Sequence, residues 1–391
     1  MTLYFARIRF MFVLLVFCGI RLSNESAFAL DYVTVLENGK NVTREGRIIQ
    51  RDTGGSFVLE ERDGYWRIIQ PKEVVRQWSD ETEFVPYTRA ELKKRLTAEF
   101  PKEFRIRETT RYMIVFDTTI AYATWCGELL EQLDTAFLDH WRKAGFELSE
   151  PEFPLVAVIF AERENFIRCT VGEVGPAASQ INAYYNQQSN RVVFYDLTGQ
   201  EVYGGVRGTT SKRIREIMSR PESAKAVSTF VHEAAHQISY NCGLLQRYGA
   251  CPLWVSEGIA MLYETPDFNS VKAWSSDIKV NQFRLNHFYR YITEREPKEP
   301  MKQVVESDEP FRLTDTENLL DAYATAWAMM HFFSTKQGSK LTEYMKIISA
   351  KKPFVPEDKK KRMQDFEGVF GKDWDRLHRL FYSHAGELGG E

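Results

Sequence analysis

Two imidazoles four residues apart on a helix stand one turn above each other and can grip a single cation. The stretch Phe230-Val231-His232-Glu233-Ala234-Ala235-His236-Gln237 presents such a pair, His232 and His236. Glu233 follows the first histidine, which puts a carboxylate where it can hold and deprotonate a metal-bound water. The spacing therefore supplies two ligands and a base. The surrounding residues 224–240 contain neither Gly nor Pro, and Val227, Phe230, Val231, Ala234, Ala235 and Ile238 recur at helical spacing. This predicts a buried amphipathic helix.

Catalytic zinc takes three protein ligands and keeps an open position. The third is expected from residues 252–264, a second apolar helix with Pro252 near its first turn and one acid, Glu257, embedded among apolar residues. Burying a carboxylate there is costly unless it is paired or bound to a metal. Gly258 would let this helix approach a neighbour closely.

These elements resemble the gluzincin metallopeptidases, with H-E-x-x-H on one helix and a glutamate ligand on the next. More narrowly, H-E-x-x-H-Q followed by Pro252-Leu253-Trp254-Val255-Ser256-Glu257-Gly258 is similar to an uncharacterised group of secreted bacterial proteins with a peptidase-like domain. The resemblance covers roughly residues 107 to 385. It implies Zn²⁺ on His232, His236 and Glu257, with Glu233 as general base in peptide-bond hydrolysis. It also implies a gluzincin-like domain over residues 107–391 whose helical C-terminal lobe walls a cleft, and a sheet edge, here the hairpin 181–195, that receives a peptide or protein substrate as an added strand. The helix carrying Tyr323 resembles the tyrosine-bearing helix that follows the ligand glutamate in gluzincins, which makes Tyr323 a candidate donor to the reacting oxygen. Tyr240, Tyr263 and Tyr289 are the alternatives.

The remaining chain must position these residues. Residues 1–29 read as a cleaved signal peptide: basic Arg7 and Arg9, an apolar run over 10–20, and the small-x-small site Ala27-Phe28-Ala29. That run falls short of the ~20 residues that cross a bilayer. The expected location is periplasmic or secreted, with no membrane span after cleavage. A formal net charge of −3 gives no electrostatic case for nucleic acid or an anionic membrane. Residues 30–86 read as a small all-β module, an SH3-like barrel of about five strands with turns at Asn38-Gly39 and Asp63-Gly64. It is either a structural appendage or a binding module for a cell-envelope partner. Residues 87–106 are a linker helix, and beyond them the pattern becomes α+β.

Cys126, Cys169, Cys242 and Cys251 remain after cleavage, and an oxidising compartment permits pairing. Cys242 and Cys251 bracket the loop between the two ligand helices and are the expected disulfide. The glycine-bearing insert 198–222 is either a flap over the cleft or a passive surface loop. His287, His331, His378 and His384 lack ligand spacing and read as surface or satisfied core histidines. The rival to a peptidase is a non-catalytic envelope-binding protein in which the metal-site helices serve only as a scaffold. A merely structural metal site has no need of Glu233.

Overall fold

The computed structural model describes residues 29–199, 207–268, 270, 272–274 and 279–389. Of the signal peptide expected over residues 1–29, all but Ala29 lies outside them. The architecture is mixed α+β, an antiparallel sheet region at the N-terminus and a helical region at the C-terminus flanking a central sheet.

Five strands open the chain: β1 (Ala29–Glu37), β2 (Lys40–Arg51), β3 (Phe57–Glu61), β4 (Trp66–Ile69) and β5 (Val74–Glu83). The β1–β2 and β3–β4 turns fall at Asn38-Gly39 and at Gly64, where positive φ angles suit these residues. The strands lie in the order β4-β3-β2-β1-β5, all antiparallel, with β4 and β5 at the edges. The five strands expected in this module are present as one antiparallel sheet, and no closure of that sheet into a barrel is formed among the described residues.

Trp66 N–H donates to Gln188 O at 2.8 Å. Arg247 donates to Gly64 O and to Glu60 Oε1, each at 2.8 Å, with its guanidinium 4.3 Å from the Trp66 ring centroid. A buried, doubly paired Arg of this kind is a strong contact. The β region is thus joined to the loop between the ligand helices.

Helix α1 (Arg89–Glu99) follows, started by Thr88 and Glu91 in a reciprocal cap. The central sheet is built from β6 (Arg105–Glu108), β7 (Tyr112–Phe116), β8 (Leu155–Phe160), β9 (Ala183–Asn186) and β10 (Arg191–Tyr195) in the order β6-β7-β8-β10-β9. β7, β8 and β10 run parallel, and β9 is an antiparallel edge. Helices α2 (Ile120–Lys143) and α3 (Arg163–Val174) make the crossovers, and the two faces of the sheet bury separate apolar clusters. The continuous apolar run of β8 fits a strand covered on both sides.

The helical region comprises α4 (Ser211–Met218), α5 (Ala224–Asn241), α6 (Leu253–Met261), α7 (Gln282–Glu294), α8 (Pro300–Glu306), α9 (Thr316–Lys336), α10 (Gly338–Ser349), α11 (Lys359–Phe370) and α12 (Trp374–Gly389). Helices α11 and α12 are divided at Gly371, whose φ of 95° ends α11. Within the insert 198–222, residues 200–206 lie outside the described residues. The α4 part seats Ile214, Ile217 and Met218 in the main core, so it is a packed element and no flap.

The expected disulfide is corrected: Cys242 and Cys251 are both free. The Cys242 thiol turns into the core against Ser239 O, while Cys251 Sγ faces Pro252 O. The loop is held instead through Arg247.

Of the late histidines, His287, His331 and His384 are buried and His378 is half-buried. His331 Nδ1 and His384 Nε2 meet at 3.0 Å between α9 and α12, and burial pushes His331 down to about 4. His140 is likewise pushed down to about 4 by burial. Unfolded, both take up protons from about pH 6.5; folded, they do so only near 4. The unfolded chain therefore binds more protons as pH falls through this window, and stability declines, by up to roughly 3 kcal/mol per histidine. A melting temperature unchanged between pH 6.5 and 4 would refute this.

Candidate metal centre

The centre is assembled where α5, α6 and α9 pack, the first two seated by specific polar contacts and the third by a close approach. Gln237, fully buried, donates from Nε2 to Val156 O at 3.0 Å and to Asn190 O at 2.8 Å, which ties α5 under β8 and the β9–β10 turn. The final Gln of H-E-x-x-H-Q is therefore an anchor. Helix α6 starts at Pro252, and Asp308, itself paired with Arg362, accepts from Leu253 N–H at 3.0 Å. Helix α9 presses on α6 at Gly258, where an added Cβ would lie 2.9 Å from Met330 Cβ and 3.0 Å from Ala326 O. The close approach expected at Gly258 is thus present, made possible by the absent side chain.

This packing converges the expected ligands. His232 Nε2 lies 3.1 Å from His236 Nε2 and 3.1 Å from Glu257 Oε2, and His236 Nε2 lies 3.6 Å from Glu257 Oε1. Three corners of a tetrahedron with zinc bonds of 2.0–2.1 Å are separated by roughly 3.3–3.4 Å. The observed edges bracket that value, so the donor set fits a four-coordinate cation with one position left for water.

The second nitrogen of His232 is also committed. Nδ1 lies 3.0 Å from Glu264 Oε1, and the carboxylate must accept, so Nδ1 is the donor and Nε2 is the nitrogen left to ligate once its proton is displaced. Glu264 is spanned by Arg284 through Nε at 3.0 Å and Nη2 at 2.8 Å, and it accepts from Asn281 Nδ2 at 2.8 Å. Sequence reasoning did not assign Glu264, Asn281 or Arg284. The available signal was Glu264 itself, a second acid two helical turns beyond Glu257 at the end of the same apolar run.

The electrostatics follow from this geometry. Burial opposes a charge on His232, but hydrogen bonds to Glu257 and Glu264 outweigh it and push the imidazole up to about 10. Burial also opposes the Glu257 charge, which His236 and His232 nevertheless hold well below the usual carboxylate range. Glu264 is held at about 2, against burial, by Arg284 and His232. Metal binding would displace the proton that His232 shares with Glu257.

Residues 226–355 match the family described as protein of unknown function (DUF1570). No curated protein matches. The DUF1570 region contains both histidines, Glu257 and the Glu264–Arg284 pair, so the whole donor set lies within it. The family description attaches no activity to these residues.

Glu233 sits beside the donor set, and its Oε2 accepts from Tyr185 N–H of the edge strand β9 at 2.8 Å. Burial raises its proton affinity, with His232 and His236 opposing. Tyr323 reaches the same region. Burial, followed by the charge of Glu257, pushes its phenol well above its ordinary value; Glu233 and Glu264 add to this and Arg284 opposes. Its ring stands edge-on to Phe311 at 5.4 Å. Of the alternatives, Tyr240 stacks on Tyr185 at 5.8 Å, Tyr263 packs against Phe137 at 4.9 Å, and Tyr289 bonds to Ala385 O.

Glu264→Gln is expected to weaken metal affinity by about 10–100-fold, the usual cost of losing the outer partner of a ligating histidine. Chelator competition measures it, with the melting temperature recorded alongside because Arg284 loses its anion. Unchanged affinity in a folded variant would remove Glu264 from the site.

Proposed function

We propose that this chain is a secreted zinc-dependent peptidase of gluzincin type, acting on a peptide or protein substrate in the periplasm or outside the cell. The observation that carries this reading is the convergence of His232 Nε2, His236 Nε2 and the Glu257 carboxylate at tetrahedral edge lengths, with Glu233 beside them. The cation, when bound, supplies Lewis acidity toward a carbonyl oxygen and lowers the pKa of a coordinated water.

The chain's own residues do the rest. His232, His236 and Glu257 hold the ion, and Glu264 keeps His232 in the tautomer that can ligate. Glu233 takes the proton of the attacking water and delivers it to the leaving amine; its buried setting raises its basicity toward the range a general base needs. Tyr185 N–H orients the Glu233 carboxylate from the strand edge. Tyr323, still protonated because burial and the nearby carboxylates oppose its ionisation, offers an O–H to the oxygen on which negative charge develops.

A Tyr323→Phe variant is expected to keep its zinc and its fold while its turnover falls by about 10²-fold, the scale of one lost oxyanion donor. Unchanged turnover would return Tyr323 to a packing role. For the rival reading, a non-catalytic envelope-binding protein, the favouring feature is the exposed outer strand β5. The experiment that separates the two is zinc content of the purified protein measured together with cleavage of a mixed peptide library. Bound zinc with no cleavage would favour the rival.

A further inference from the structure

The edge strand β9 leads from the reacting centre directly into a wall. Tyr185 N–H bonds to Glu233 rather than to β10, so at Tyr185 the strand turns its outer edge to the reacting centre. One residue later, at Asn186, the strand ends. The turn that follows is tied down on several sides. Gln188 O accepts from Trp66 N–H at 2.8 Å, Gln187 O from Arg247 Nη1 at 3.2 Å, and the Gln187 side chain from Tyr248 N–H at 2.8 Å. Helix α5 runs the same way, from Glu233 toward Asn241, which bonds to Asn190 in that turn. The α5–α6 loop and the β3–β4 corner of the N-terminal sheet therefore meet beyond Asn186.

We propose that this junction makes the N-terminal sheet an end-stop of the substrate cleft, so that the protein removes residues from free peptide N-termini. This rests on the peptidase reading above. A peptide added to β9 pairs better antiparallel than parallel. Antiparallel to β9, its N-terminal side faces Asn186 and the wall. β9 ends at Asn186, one residue past Tyr185, and the turn 187–190 is tied to the wall, so at a rise of about 3.4 Å per residue only about one to three residues fit before the scissile bond. A longer chain on that side would have to displace buried Arg247 from Glu60 and Gly64. On the opposite side, toward Ala183, none of these contacts intervenes.

The test compares a long unstructured linear peptide with the same sequence closed head to tail, incubated with the zinc-loaded mature protein and followed by mass spectrometry. The expected result is stepwise loss of one to about three residues from the linear N-terminus, with the cyclic form intact. Opening of the cyclic peptide, or cleavage far from the linear N-terminus, would overturn the end-stop and leave the peptidase reading standing. Loss of residues from the C-terminus alone would overturn the antiparallel placement that the proposal requires. If neither peptide is cut, the peptidase reading falls and the end-stop falls with it.

Discussion

Glu233→Gln is expected to retain its zinc and lose hydrolysis by about 10²–10⁴-fold, the range for a general base. The amide is nearly isosteric with the carboxylate, and its oxygen can still accept from Tyr185 N–H, so β9 and α5 keep their relative place. What it cannot do is take a proton from water. Because Glu233 is not one of the three converging donors, metal content is the internal control. A variant with parental zinc and near-parental turnover on a peptide that the parent cleaves would remove Glu233 as the base, and with it the feature that separates a catalytic site from a structural one.

His236→Ala is expected to leave the protein without stoichiometric zinc and without activity. Two of the three converging donors then remain, His232 and Glu257, and they already neutralise each other at 3.1 Å. Elemental analysis of parent and variant after dialysis decides the matter. Equal zinc in both, or none in either after loading, would sink the site. The fold should survive, since α5 stays anchored by Gln237 and by the apolar face from Val227 to Ile238.

Much of the site was legible along the chain because its parts are local. The i, i+4 histidines lie on one helix and need no tertiary information to share a face. Glu257 stood out because a lone acid on an apolar stripe calls for a partner. Gly258 was readable as a close approach for the same local reason. Glu264 and Arg284 were not, because the bond between them joins residues in different elements, and a lone Arg at the start of α7 carries no sign of its destination. Helix α3 went unassigned although Phe166, Thr170 and Val174 recur at a spacing of four, since that pattern is short and polar residues surround it.

Neither the closure of the N-terminal sheet nor the pairing of the cysteines is written in local pattern, for one shared reason. Strand patterns and turn residues specify hairpins, but whether a small sheet closes depends on what else its edges meet. Here the end of β4 meets Gln188 and Arg247, and those contacts, with both cysteines free, hold the loop between α5 and α6.

The sequence by itself determined which side chains could serve as metal donors, their order, the candidate base, and the helices that carry them, because helical periodicity places side chains within a turn of one another. Only the tertiary structure decided that the three donors meet at tetrahedral spacing, that Glu264 and Arg284 stand behind His232, and that the N-terminal sheet abuts the end of β9. Each of these depends on packing between elements far apart in the chain, where burial and hydrogen bonding select partners that no local pattern encodes.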